Sequence, residues 1–258
     1  MERKNRLQKK NTTTSAPKKK SIEFPVRINK YISNSGICSR RDADQLILDG
    51  KIEINGTVAS ELGMKVEEND EVKYNGKVIK PQNFVYVLLN KPKDYISTME
   101  DPENRKTVMD LVKAACDERI YPVGRLDRNT TGLLLLTNDG AMSQKLTHPS
   151  YKIKKIYQVE LDKPLTANHF EDIANGFNLE DGPVTVSDIA ILDPSKKNIG
   201  VQIHIGKNRI VRRIFENFGY EVVKLDRTMY GSLTKKDLPR GKWRFLTDKE
   251  VILLKNMS

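Results

Sequence analysis

The chain has 258 residues, enough for one large domain or two smaller ones with an ample core. Its 45 Lys+Arg against 34 Asp+Glu leave a net charge of +11, which favours a polyanionic partner through counterion release. No signal-peptide stretch and no run of 18 apolar residues is present, and the two cysteines lack metal-site or disulfide spacing, so a cytoplasmic protein in a reducing compartment, with no membrane partner, is expected.

Residues 1–24 are expected to be a disordered basic tail. Residues 2–23 carry eight Lys/Arg and two Asp/Glu, more than half of the net excess, with little apolar content to offset the entropy of ordering. Such an arm either scans RNA or merely aids solubility. Order begins near Val26, with Ile28, Tyr31 and Ile32 at helical spacing and Ser35-Gly36 as the stop. Ser39 and Asp42 form a capping box for a second helix with the stripe Ala43, Leu46, Ile47, ended by Gly50. Alternating strands follow, up to the turns Asn55-Gly56 and Asn75-Gly76. Arg40 and Arg41 fall in the first turn of the second helix, where two guanidiniums beside outward-pointing N–H groups suit phosphate; on a solvated helix the same pair often has no function. The segment RINKYISNSGICSRRDADQLILDGKIEINGTVA resembles the S4 RNA-binding domain over residues 25–80, which implies recognition of structured RNA by shape and backbone.

Lys80-Pro81-Gln82-Asn83 reads as a linker before a second domain, 84–255. There the patterns predict a strand from Val85 to Leu89 ended by Asn90-Lys91-Pro92, a helix Thr107–Ala115, a strand Leu133–Leu136 buried on both faces and a helix Ala141–Leu146. Ile153–Leu161 alternates as a half-exposed strand. A helix Leu165–Asn175, strands Val184–Leu192 and Val201–Ile205, a helix Val211–Asn217, a strand Glu221–Leu225 and a helix Asp248–Leu254 complete it. The expected class is α+β: the small RNA-binding domain, then a mixed, mostly antiparallel sheet with flanking helices.

Asp127 lies between Arg125 and Arg128 in the turn before the apolar run, where a carboxylate is either an ion-pair partner or a nucleophile or base. Asp139 reads as turn chemistry. Arg209, Arg212 and Arg213 on GKNRIVRRIFENFG either form a plain basic helix face or supply a partner for a carboxylate and contacts to phosphate. Tyr157 either packs in the core or stacks on an unpaired base. The three histidines show no metal spacing, and neither a Walker loop nor GxGxxG occurs, so neither metal nor cofactor is assigned.

The segments YPVGRLDRNTTGLLLLTNDG, KIYQVEL, GFNLEDGPV, GKNRIVRRIFENFGYEVVKLDR and LPRGKWRFLT resemble the bacterial ribosomal pseudouridine synthases of the small-subunit synthase A family, in the branch like the large-subunit rRNA synthase B. The resemblance implies an enzyme isomerising uridine within ribosomal RNA, that of the large subunit in the first instance, without a cofactor and as a monomer. It implies Asp127 as catalytic, Arg125 beside it, Tyr157 stacked on the target base, and Arg212 paired with Asp127. Arg125 is then expected to be a group that leaves when RNA enters, so that without RNA Asp127 is held by Arg212 and Arg125 is free or differently engaged. Lys207 departs from the arginine common at its position. Other readings are a small-subunit rRNA or tRNA target, and a noncatalytic RNA-binding assembly factor. Replacing Arg40 by Ala is expected to weaken RNA binding and to lower the slope of log affinity against log salt by about one; filter binding across a salt series that returns an unchanged slope removes Arg40 from the phosphate contacts.

Overall fold

The computed structural model describes residues 22–257. The expected tail therefore lies almost wholly outside the described residues, but its last three members do not behave as tail: Ile22 is buried and Phe24 packs against the same cluster.

The first unit runs β1 (Val26–Arg27), α1 (Ile28–Asn34), α2 (Arg40–Leu48), β2 (Ile52–Ile54), β3 (Thr57–Val58), β4 (Lys65–Val66), β5 (Val72–Tyr74) and β6 (Lys77–Val78). Ser39 caps α2 through the expected box, its hydroxyl accepting from Asp42 N–H while Asp42 accepts from Ser39 N–H. Ile28, Ile32, Ala43, Ile47 and Ile52 close a core against Val66 and Val72; four of the six strands order β3-β2-β5-β6, and β1 pairs with β4.

The second unit continues with β7 (Tyr86–Lys91), α3 (Val108–Val112), β8 (Tyr121–Pro122), β9 (Thr131–Thr137), α4 (Gly140–Thr147), a 3-10 turn (Pro149–Tyr151), β10 (Lys155–Leu161) and α5 (Ala167–Asn175). Then come β11 (Phe177–Leu179), β12 (Gly182–Val184), β13 (Asp188–Ile191), β14 (Asn198–Ile203), α6 (Ile210–Glu216), β15 (Val222–Tyr230), β16 (Leu233–Thr234), β17 (Trp243–Phe245) and α7 (Asp248–Asn256). The sheet orders β13-β14-β10-β15-β9-β7-β17, with β16 on β15 and β8 on β9. Every pair is antiparallel except β15 with β9. Among the described residues no helix is long and apolar enough to cross a membrane.

The run Leu133–Leu136 explains the layering. Leu134 and Leu136 enter the cluster beneath α3 and α6, while Leu133 and Leu135 enter a second cluster under α4 and α7. A strand covered on both faces has no polar side to alternate with, which is why it reads as an unbroken apolar run.

Three expected strands differ. The strand beginning at Val85 does not stop before Lys91 but carries it, fully buried, as its last residue. The single strand expected over Val184–Leu192 is two: Gly182–Val184 folds back on Phe177–Leu179, and Asp188–Ile191 forms the outer edge of the large sheet. The strand expected to end at Leu225 extends to Tyr230, because the charged residues that follow find partners inside the sheet. Asp226 accepts from Thr131 Oγ1 at 2.7 Å and from Arg240 at 2.9 Å, and Arg227 donates through Nε to Leu133 O at 2.7 Å.

The parallel contact between β15 and β9 passes through Gly132, opposite Arg227. Gly132 has φ +106, and a Cβ there would lie 2.8 Å from the Arg227 carbonyl carbon, with backbone on the other side of the clash unable to yield. Gly132→Ala is therefore expected to lower stability by about 3 kcal/mol or more, read from the midpoint of denaturant unfolding; a loss under about 1 kcal/mol shows that the two strands separate more easily than this packing allows.

Candidate active site

The turn between β8 and β9 begins at Gly124, φ +70, and carries Arg125, Leu126, Asp127 and Arg128. Leu126 is buried, and its backbone is tied on both sides by one hydroxyl: Ser97 Oγ donates to Leu126 O at 2.9 Å and accepts from Leu126 N at 3.2 Å. Lys91 then grips the far side. Its ammonium, with no solvent exposure, donates to the carbonyls of Pro92 (3.0 Å), Asp127 (3.1 Å), Arg128 (3.2 Å) and Thr130 (2.8 Å). Burial pushes its pKa down to about 8, while the charges of Asp127 and Asp94 work the other way. A buried ammonium survives where oxygen atoms replace its water, and here those oxygens belong to the turn that carries Asp127.

The Asp127 side chain, 37% exposed, lines a cavity of about 170 Å³. Arg125, Tyr157 and Arg209 line it too, with Lys155, Lys207 and Arg227, so that five cations surround a single carboxylate. Such a cavity attracts a polyanion and leaves its acid in a focused positive field. Tyr157 is buried at the cavity wall, in register between Val201 and Arg227. Arg227, also buried, stacks its guanidinium 4.5 Å from the Tyr230 ring centroid and leaves Nη2 without a protein partner. Burial, reinforced by Arg227, pushes Lys155 down to about 8, and its ammonium donates to His204 O at 3.0 Å.

The pairing expected for Asp127 is different in the structure. Arg209, at the start of α6 in a left-handed conformation (φ 47), places Nη1 3.8 Å from Asp127 Oδ2 and also reaches Glu216 at 3.3 Å. Arg212 is buried one turn on, donates to Val222 O at 2.7 Å and keeps its Nε unpaired, so its fork is directed at backbone rather than bonded to the carboxylate. Asp127 acts on Arg212 only through space, opposing the burial and the Arg209 charge that lower its pKa. Arg125 is exposed and makes no hydrogen bond or ion pair among the described residues. Lys207 and Arg213 both converge on Asp181, Arg213 with two hydrogen bonds that hold its carboxyl down at about 2. Arg40 and Arg41 are exposed at the head of α2, outside this cavity, and Arg40 reaches Asn29 Oδ1 at 3.5 Å. Asp139 caps α4 and accepts from the buried Tyr86 hydroxyl at 2.7 Å.

Sequence reasoning assigned no role to Lys91, Lys155 or Arg227. For Lys91 the sequence carries a signal, a lysine ending an apolar strand immediately before proline; for Arg227 the signal is its same-face spacing with Leu225, on a strand that continues past Leu225. Lys91→Met removes the donor and strands carbonyls of the Asp127 turn, so it is expected to cost about 3 kcal/mol or more of stability and to abolish most turnover even well below the melting temperature. Full turnover in a folded Lys91→Met protein, measured alongside its thermal midpoint, rules out the clamp as what positions Asp127.

Residues 85–217 match the family model for RNA pseudouridylate synthase, and residues 26–72 match that for the S4 domain. The chain is 41% identical to the ribosomal large subunit pseudouridine synthase B of Bacillus subtilis over 90% of its own length and 96% of that protein's. It is 39% identical to the dual-specificity RNA pseudouridine synthase RluF of Escherichia coli, over 90% of this chain and 81% of that one. A crystal structure of a pseudouridylate synthase superimposes with a TM-score of 0.63 at 28% identity, covering 89% of this chain and 99% of that one. With the two family models in this order, and with a full-length relative at this identity, the chain belongs to the RNA pseudouridine synthases.

Proposed function

We propose that this enzyme converts a uridine of ribosomal RNA, in the large subunit, to pseudouridine, with Asp127 as the catalytic group. The observation that carries the assignment is the rigidly held Asp127 turn, open to a cavity whose other charges are all positive. The relative of 41% identity named for the large subunit supports the choice of RNA.

The reaction breaks the N1–C1′ bond, turns the uracil and joins C5 to C1′, while the proton lost from C5 balances the one gained at N1. Nothing is oxidised or reduced, and product and substrate are isomers. The Asp127 carboxylate acts at the sugar, as nucleophile at C1′ or as base toward the C2′ proton; both routes need the same group at the same place. A uridine within a helix is out of reach, so the nucleotide flips into the cavity. Tyr157, in the buried wall, receives the base, and exposed Arg125 enters the space it vacates. Arg209 exchanges its long, 3.8 Å contact with Asp127 for an RNA phosphate, and Arg212 supplies the fixed positive charge behind the carboxylate. The S4 unit over 25–80 docks the RNA through Arg40 and Arg41, and the unit over 84–255 carries the chemistry.

Unmodified large-subunit and small-subunit rRNA transcripts incubated with wild-type and Asp127→Ala protein, then mapped by carbodiimide-blocked primer extension, test this reading. The wild type is expected to give one new stop on large-subunit RNA, and the variant to lose activity on the order of a thousand-fold or more. Persistence of the stop with Asp127→Ala overturns the catalytic assignment, and a stop confined to small-subunit RNA overturns the choice of substrate.

A further inference from the structure

A second concave surface lies between the two units. It encloses about 390 Å³ and is lined by Lys30 and Arg40 from the S4 unit and by Arg119, Tyr121 and Gln144 from the catalytic unit, with three cations and no carboxylate in its lining. Among the described residues, neither the Lys30 nor the Arg119 side chain makes an ion pair, and Arg40 has only the neutral Asn29 amide oxygen at 3.5 Å. Asp42, whose carboxyl the Arg119 charge helps to hold down, is tied to the capping box, where it accepts from Ser39 N–H at 3.3 Å and from its hydroxyl at 2.7 Å. The lining of the cleft is therefore positive, and the one acid that acts on Arg119 stays tied to its helix cap, so the cleft suits an incoming anion.

The geometry of the seam is fixed by the linker. Gln82 donates its backbone N–H to Asn34 O at 2.8 Å, its side chain fills the space over Gly36, and its Oε1 accepts from Arg119 N at 3.4 Å. Phe84 packs against the cores of both units. The cleft and the Asp127 cavity also share their walls. The chain that presents Tyr121 to the cleft presents Gly124 to Asp127 to the cavity, and α4 faces the cleft with Gln144 and the cavity with Thr147, one helical turn away.

We propose that this cleft binds the phosphodiester backbone of the same RNA whose target nucleotide enters the Asp127 cavity, with Arg119 as the catalytic unit's phosphate contact beside Lys30 and Arg40. The proposal rests on the pseudouridine synthase reading for its ligand, and it makes the two units a single RNA surface rather than a docking module tethered to an enzyme.

The test measures binding of a large-subunit rRNA transcript to full-length wild type, Arg119→Ala, Arg119→Lys and, as a control, Arg105→Ala, whose guanidinium is already paired with Asp101 at 2.7 Å. Arg119→Ala is expected to bind about tenfold more weakly at moderate salt, with the salt slope reduced by about one, while Arg119→Lys keeps the slope and Arg105→Ala matches wild type. Wild-type affinity and slope in Arg119→Ala overturn the proposal; so does a lowered melting temperature with an unchanged slope, which makes Arg119 a seam residue only. Pseudouridine formation by the wild type on the same transcript is scored separately. If it forms while Arg119→Ala binds normally, only the cleft falls; if it does not form while Arg119→Ala loses affinity, only the enzymatic reading falls.

Discussion

The buried ammonium of Lys91 is the constraint on which the site depends. An unpaired charge in a protein interior is among the costliest features a fold can carry, so the chain around it has little freedom: carbonyls must be delivered to it, and the turn from Asp127 to Thr130 delivers three of the four. The turn's shape thus follows from solvating a cation, and the carboxylate inherits that rigidity without being itself a ligand. Ser97 on the opposite side of Leu126 completes a frame in which the backbone is fixed while the Asp127 side chain remains partly exposed. A catalytic group needs that combination, since precise placement comes from the main chain and reactivity from access.

The second constraint is the close approach of β9 and β15 at Gly132 and Arg227. It brings the end of the long strand Val222–Tyr230 beside the start of the central one, and so places Arg227 and Tyr230 in the same cavity as Asp127, a hundred residues away in sequence. Tyr157 on β10 joins them through antiparallel register with Arg227. The cavity is therefore assembled from the neighbouring strands β14, β10 and β15, the loops that precede β9 and α6, and the near ends of α4 and α6, and its positive field comes from two strand residues, Lys155 and Arg227, together with Arg125, Lys207 and Arg209 of the loops.

Local signals were legible and distant ones were not. The Ser39 capping box, the Gly50 stop and the twice-covered Leu133–Leu136 strand are each determined within a few residues, and the pattern carried them. The splitting of Val184–Leu192 could not be read, because Gly182–Val184 turns back on Phe177–Leu179 while the remainder pairs with β14, and the choice between those partners is made in space. The same holds for the Asp127 partner. Arg209 and Arg212 are one helical turn apart and equally plausible by spacing; what separates them is that the Val222 carbonyl occupies Arg212, a contact across ten residues that no periodicity announces. Lys91 is hidden for a similar reason, since a lysine before proline looks like a strand end until the carbonyls that solvate it are folded around it.

The edge strand Trp243–Phe245 has a consequence for how the enzyme comes into being. It pairs with Leu89, Leu88 and Val87, the first strand of the catalytic sheet, across more than half of the chain. During synthesis the S4 unit is made before β7 has even emerged, whereas β7, buried along its whole length in the finished protein, must wait unpartnered on that side until Trp243–Phe245 has been made. A nascent chain therefore acquires its S4 unit first and closes its catalytic sheet only once Trp243–Phe245 has emerged, and a message truncated before Trp243 yields a product with an open, aggregation-prone sheet edge instead of a weakened enzyme.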